Sequence, residues 1–223
     1  MKLKGIVMDM DGTITRFNLD YMTARRRSLK ELEKMNLLTP DMTEQVPLYL
    51  MLKKVKDNVD SETFVKVRRI FYEFFEEMEL KAAQEATLYP GAVGTLRNLR
   101  NRGLKIGIVT NNGRIGTELT LKRCELEGFF ETVVTRDDCE ETKPNAAPVR
   151  KVLNDLRVMP EEAILVGDSV MDVIAARAVG LPSIAVATGP FSNVRLIQAE
   201  PDYLLGSVND LPLLVEKLES TNG

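Results

Sequence analysis

The chain has 223 residues with 30 Lys+Arg against 33 Asp+Glu, a formal net charge of −3, and 44% hydrophobic and 28% charged residues. This is an ordinary globular balance with no basic excess for a dedicated nucleic-acid binder. Histidine is absent, which excludes Ser-His and Cys-His nucleophile pairs and histidine-ligated metals.

Two patterns alternate along the chain. Short, solidly apolar runs rich in Ile and Val have the length and β-branching of buried parallel strands. The first is Gly5–Met8. From Leu19 to about Leu88 no strand-like run occurs. Tyr21–Met35 and Asp41–Lys56 read as helices separated at Thr39-Pro40, and Phe64, Val67, Phe71, Phe74, Phe75 and Met78 follow helical spacing within a long helix over about Ser61–Ala86. Hinges are expected at Gly12–Asn18 and at Leu88–Gly91, where Tyr-Pro-Gly marks a turn. The alternation then runs through helix Gly91–Arg102, strand Lys105–Thr110, helix Arg114–Glu127, strand Thr132–Thr135, helix Ala146–Arg157, strand Ala163–Gly167, helix Val170–Val179 and strand Ser183–Ala187. Successive strand–helix units imply an α/β, doubly wound, Rossmann-like parallel sheet. The expected division is a core of residues 1–18 and 88–223, with residues 19–87 forming a small all-helical cap inserted after the first strand.

Cys124 and Cys139 lack metal-ligand spacing and read as reduced thiols of a cytoplasmic protein. No apolar run approaches the roughly 20 residues of a membrane helix, and the start MKLKGIVMDMDG turns acidic too soon for a signal peptide. The basic clusters Arg25-Arg26-Arg27 and Lys53-Lys54-Lys56 read as solvated helix faces.

In open parallel sheets, ligands bind outside the carboxyl ends of the strands. The first strand ends in Asp9-Met10-Asp11-Gly12-Thr13, the second in Thr110-Asn111-Asn112-Gly113 and the fourth in Gly167-Asp168-Ser169, with Asp172 four residues after Asp168; Lys143-Pro144 follows the third. Each piece alone has a plain reading as a turn, a helix cap or a surface lysine. At successive strand ends they would meet in one crevice. Asp9 and Asp168, with the backbone carbonyl of Asp11, offer hard oxygen ligands suited to Mg²⁺. A carboxylate can attack phosphorus and become an aspartyl-phosphate. Thr110, Lys143 and backbone N–H groups beside Thr110, Asn111 among them, can hold the transferring oxygens, and Gly12 lets the backbone approach them.

These residues resemble the motifs of the haloacid dehalogenase-like superfamily, in its phosphatase members. Asp9-x-Asp11-Gly12-Thr13 is similar to the first motif, Thr110 to the second, Lys143 in Thr-Lys-Pro to the third, and Gly167-Asp168-Ser169-x-x-Asp172 to the fourth. Ala176-x-Ala178-x-Gly180 followed by Leu181-Pro182 also looks like family sequence. The resemblance implies Asp9 as nucleophile and metal ligand. Asp11 would bind metal through its carbonyl and act as acid, then base. Thr110 and Lys143 would hold the phosphate, Asp168 would ligate the metal, and Asp172 would support the metal waters or Lys143. The position of the insert resembles the helical-cap branch, which includes phosphoglycolate phosphatases, phosphosugar phosphatases, β-phosphoglucomutase and pyrophosphatases. The implied function is a Mg²⁺-dependent phosphatase of a small phosphorylated metabolite, phosphoglycolate being one candidate. A phosphosugar mutase and a non-catalytic binding or regulatory protein are the alternatives. After Asp-Gly-Thr the chain departs from the branch with Ile14-Thr15-Arg16-Phe17. Arg16 there is either a contact for a second acidic group of the substrate or a surface arginine.

Overall fold

The computed structural model describes residues 2–16, 19–189 and 193–220. The chain begins with strand β1 (Gly5–Met8), followed by a short strand β2 (Thr15–Arg16). Three helices come next: α1 (Tyr21–Lys34), α2 (Leu48–Asn58) and α3 (Ser61–Glu85). Strand β3 (Thr87–Leu88) pairs antiparallel with β2, so a two-stranded ribbon closes the base of the helical insert. Then follow α4 (Ala92–Asn101), β4 (Lys105–Val109), α5 (Arg114–Arg123), β5 (Thr132–Val134), α6 (Ala146–Leu156), β6 (Ala163–Gly167), α7 (Val170–Val179), β7 (Ser183–Val186), α8 (Asn193–Gln198), β8 (Tyr203–Leu205) and α9 (Leu211–Ser220).

The main sheet has the order β5-β4-β1-β6-β7-β8, and every neighbouring pair is parallel. This is the doubly wound arrangement that the strand–helix alternation implies. The chain leaves β1 towards β4 and β5, then returns to β6 on the other side of β1. The strand order reverses between β1 and β6, the place where such sheets form a ligand crevice. Side chains of a strand alternate between faces. Ile6, Met8, Ile106, Ile108, Ile164 and Val166 pack with Leu96 and Leu99 of α4 and Leu211 of α9 on one face. Val7, Val109 and Leu165 pack with Val149, Val152 and Leu156 of α6 and Ala175 and Ala176 of α7 on the other.

The insert has apolar clusters of its own. Leu32, Met51, Val55, Val67 and Phe71 join α1, α2 and α3, and Ala24, Phe75, Met78 and Ala82 continue the seam along α3. Asp20 and Asp60 cap α1 and α3 by accepting the N–H groups of Thr23 and Thr63 at 3.0 and 2.9 Å. The insert rests on the core where α3 lies along α5. A Cβ at Gly116 would stand 3.0 Å from the Glu79 Cβ, so this glycine sets how closely the two helices approach.

Three sequence expectations shift. The helix read over Asp41–Lys56 starts only at Leu48, because Pro47 is its N-cap and the ring disfavours helical backbone at Val46. The helix read to Glu127 stops at Arg123, with Glu125 left-handed at φ 54. The apparent hinges carry the β2–β3 ribbon, too short for a periodicity argument; Phe17 and Asn18 of the first hinge lie outside the described residues. No helix among the described residues is long and apolar enough to cross a membrane. Both cysteines are free.

Phe71 is fully buried at the centre of the insert's cluster. Phe71→Ala should cost about 3–5 kcal/mol in urea denaturation, whereas Val65→Ala, at a 54% exposed position of the same helix, should stay within about 0.5 kcal/mol.

Candidate active site

The crevice at the β1/β6 switch point collects most of the residues singled out in the sequence. Asp9 follows β1 directly, and its N–H donates to the Val166 carbonyl of β6 at 2.8 Å, which ties the first acid to the neighbouring strand. The Lys143 ammonium donates to Asp9 Oδ1 and to Asp172 Oδ1, both at 2.6 Å. All three side chains are buried. Asp9 Oδ2 accepts the Thr13 hydroxyl at 3.1 Å. Asp172 Oδ2 accepts the Ser169 N–H and hydroxyl in a capping box at the start of α7. The Lys143 backbone is itself clamped. Its N–H donates to Asn111 Oδ1 and its carbonyl accepts from Asn111 Nδ2, both at 2.9 Å. The Asn111 side chain therefore serves Lys143, and what it can offer a phosphate is its own N–H.

Asp11 faces the same crevice from the turn after β1. Its Oδ2 accepts from Asn112 Nδ2, and its Oδ1 lies 2.9 Å from the Thr15 hydroxyl. That hydroxyl is also 3.2 Å from the Met10 carbonyl. It can donate to Met10 and accept from a protonated Asp11, so the turn accommodates both protonation states. Thr110 is buried at the end of β4 and its hydroxyl oxygen accepts the Asn112 N–H at 3.1 Å, which leaves its own proton to donate into the crevice.

Electrostatics follow from burying several acids together. Burial pushes Asp9 up to about 6, with Lys143 opposing and Asp172 reinforcing the shift. Burial, then the charge of Asp9, holds Asp11 well above the usual carboxylate range. Asp168 is raised by burial and by Asp9 and Asp172. Burial alone would lower Lys143, but Asp172 and Asp9 together keep it above an ordinary lysine and so charged.

The crevice suits a hard cation. Carboxylate oxygens of Asp9, Asp168 and Asp172 come within 4.8 Å of one another. Among the described residues no side-chain donor engages the buried Asp168 carboxylate, and no donor engages the Asp11 carbonyl. A Cβ at Gly12 or Gly189 would fall 2.2 or 1.7 Å from Asp168 Oδ2, so two glycines hollow the cradle in which this carboxylate lies. Gly12 is also left-handed, with φ +82. Since Asp172 is engaged by Lys143 and Ser169, the acceptors left open are Asp168, the Asp11 carbonyl and the remaining capacity of Asp9.

The insert reaches the loop after β4, where Glu79 accepts the Gly113 N–H. Tyr21 opens α1. Its phenol is raised first by burial and then by the carboxylates of Asp11, Asp168 and Asp9, although 39% of the residue is exposed. From α3, Glu79 forms a buried ion pair with Arg136, the residue two beyond β5. Arg16 is exposed on β2, with its guanidinium 5.2 Å from the centre of the Tyr89 ring.

Sequence reasoning singled out Asp9, Asp11 and Asp168 because they follow apolar runs, and Lys143 because it lies in the loop after the third such run. It missed Asn112, read as a turn residue, and Tyr21, Glu79 and Arg136, which sit among surface-like charges. An acid within the apolar stripe of α3, four residues after Phe75 and three before Ala82, was the available signal for Glu79.

Comparisons with known proteins agree with this geometry. A family model described as haloacid dehalogenase-like hydrolase matches residues 6–186. Pyrophosphatase PpaX of Bacillus mycoides (strain KBAB4) is 30% identical over 217 residues, covering 96% of this chain and 98% of that protein. Its counterpart from Bacillus cereus (strain B4264) is 29% identical over 217 residues, covering 96% and 97%. The crystal structure of a protein from Clostridium acetobutylicum, described as a predicted phosphatase, shares the fold with a TM-score of 0.70 at 24% identity, covering 97% of this chain and 100% of that one. With a family match over residues 6–186, most of its length, the chain belongs to the haloacid dehalogenase-like hydrolase family.

Proposed function

We propose that this hydrolase is a Mg²⁺-dependent phosphatase that cleaves the phosphomonoester of a small metabolite through an aspartyl-phosphate on Asp9. The observation that carries the reading is the buried Asp9–Lys143–Asp172 triad at the switch point, with Asp11 on the turn beside it, its carboxyl held above the ordinary range by burial and by the charge of Asp9. Asp168, the Asp11 carbonyl and Asp9 would hold the cation, which would neutralise the acids and the phosphoryl oxygens.

The chain's own groups supply the rest. Lys143 fixes Asp9 through Oδ1, leaving Oδ2 to attack phosphorus. The ester P–O bond breaks as the new bond forms, and the Asp11 proton passes to the leaving alkoxide. Asp11, now ionised, takes a proton from the water that hydrolyses the acyl phosphate and restores Asp9. Thr110, Lys143 and the Asn111 N–H hold the phosphoryl oxygens. The helical insert, residues 19–87, acts as a cap that sheds bulk water and reads the leaving group.

The name of the Bacillus relatives favours a second substrate reading, inorganic pyrophosphate. A panel of pyrophosphate, phosphoglycolate and sugar phosphates separates the substrates. Product analysis on the sugar phosphates separates hydrolysis from phosphoryl return by a mutase.

With Mg²⁺ the protein should release phosphate from p-nitrophenyl phosphate, and EDTA should stop it. Asp9→Asn should lower the rate by about a thousandfold or more. A variant keeping near-native turnover would overturn the nucleophile assignment, and a native protein inactive on the whole panel would point to the binding-protein alternative. Asp11→Asn should depress turnover of an alkyl phosphomonoester about tenfold more than that of p-nitrophenyl phosphate, whose leaving group needs little protonation.

The raised Asp9 also predicts a pH dependence. Its proton is held more tightly in the folded chain, with a pKa of about 6, than at the ordinary value of 3.8. Between those pH values the native state binds more protons than the unfolded one, so the Asp9 contribution to stability falls as pH rises and levels off above about 6. In chelator, the Tm of Asp9→Asn relative to native protein should therefore climb from pH 4 to pH 6 and then stay level. A difference independent of pH would contradict the raised value.

A further inference from the structure

The loop after β4 is held by a grip that neither its sequence nor the proposed chemistry requires. The peptide unit joining Asn112 and Gly113 is bonded on both sides. The Asn112 carbonyl accepts the Arg136 N–H at 3.0 Å, and the Gly113 N–H donates to Glu79 Oε2 at 3.0 Å. The first partner belongs to the core and the second to the insert. Glu79 Oε1 in turn takes the Arg136 guanidinium, whose other terminal nitrogen donates to the Tyr72 carbonyl at 3.3 Å and which lies 4.9 Å from the centre of the Tyr72 ring. Glu79 is 1% exposed and Arg136 4%. A Cβ at Gly113 would come within 2.8 Å of Arg136 and 3.3 Å of Glu79 Oε2, so glycine is what admits the pair.

Asn112 carries the consequence. Its side-chain amide donates to Asp11 Oδ2, and its N–H donates to the Thr110 hydroxyl at 3.1 Å. One peptide unit fixed from two domains thus sets the residue that touches both the proposed proton donor and the proposed phosphate ligand. A buried charge pair would be a costly way to fix α3 to the segment after β5, since well-packed apolar side chains do as well or better. A carboxylate can also accept a backbone N–H, which an apolar residue cannot.

We propose that Glu79 is a positioning residue: seated by Arg136, it fixes the 112–113 peptide so that Asn112 meets Asp11 and Thr110 only when the insert is docked on the core. The proposal deepens the phosphatase reading and rests on it for its effect on turnover. Seating of the insert then completes the loop that serves the chemistry, besides covering it.

Two double variants of the full chain test this, both removing the two charges together so that neither is left buried alone. Glu79→Met with Arg136→Met removes the acceptor for Gly113. Glu79→Gln with Arg136→Met keeps a carbonyl oxygen there. Turnover is measured on an alkyl phosphomonoester and on p-nitrophenyl phosphate, and amide hydrogen exchange is followed at Gly113. In the Met/Met variant the alkyl-to-aryl kcat ratio should fall about tenfold, as for loss of one well-placed hydrogen bond, with KM within about threefold and exchange protection at Gly113 lost. The Gln/Met variant should recover both the ratio and the protection. Should Met/Met fold poorly, Glu79→Leu with Arg136→Gln provides a second removal of the acceptor.

Equal losses on both substrates, or a Met/Met variant with native ratio and native protection at Gly113, would reduce Glu79 to a docking contact and overturn the proposal. Failure of the phosphatase reading looks different: the native protein would turn over neither ester, while Gly113 exchange would still report whether the clamp exists.

Discussion

Gathering Asp9, Asp11, Asp168 and Asp172 in one crevice out of water is the constraint on which the rest of this structure depends. Like-charged carboxylates in a low-dielectric pocket repel one another, and burial raises Asp9, Asp11 and Asp168 further. Lys143 offsets this by bonding to Asp9 and Asp172, and its charge is held firmly by the acids it serves. The surrounding architecture fixes that ammonium in place. Asn111 grips the lysine's backbone at both N–H and C=O, and Ser169 fixes the far oxygen of Asp172. The glycines at 12 and 189 leave the room that the Asp168 carboxylate occupies.

The sheet topology determines why the acids converge. β1 and β6 are neighbours though the whole insert and three further helices separate them in the chain, and the reversal of strand order between them opens the crevice at their carboxyl ends. Asp9 and Asp168 each follow their strand by one residue, so the parallel register of β1 on β6, Met8 opposite Val166, brings them to the same end of the sheet. The close approach of the carboxylates and their weakened acidity are two consequences of one geometric fact.

The insert enters between β1 and α4 and returns on the β2–β3 ribbon, so its two attachments lie beside Asp11. Its apolar clusters let it hold together, and its contact with the core runs along α3 and α5. Glu79 of α3 and Arg136, two residues beyond β5, add a buried ion pair between insert and core. Removing one partner of such a pair costs about 3–5 kcal/mol, which couples the seat of the insert to the shape of the Thr110–Arg114 loop. The groups that reach Asp11, Thr110 and the insert thereby share one small piece of backbone.

The strands, the parallel sheet, the place of the insert and the identity of the acids were legible in the sequence. They depend on local facts: runs of β-branched residues, the helical spacing of Val67, Phe71 and Phe75, and polar residues immediately after apolar runs. Which partner each polar group takes was decided by tertiary structure. Asn111 could have faced a ligand and instead clamps Lys143, 32 residues away. Asn112, in what reads as a plain Asn-Gly turn, reaches Asp11 across 101 residues. Glu79 and Arg136, 57 residues apart, resemble solvated surface charges until α3 settles on α5. Periodicity records which face of an element is buried. It does not record what a buried polar atom meets there, because that depends on how separately formed units dock, and the docking is set by shape and charge matched over distances the local pattern does not contain.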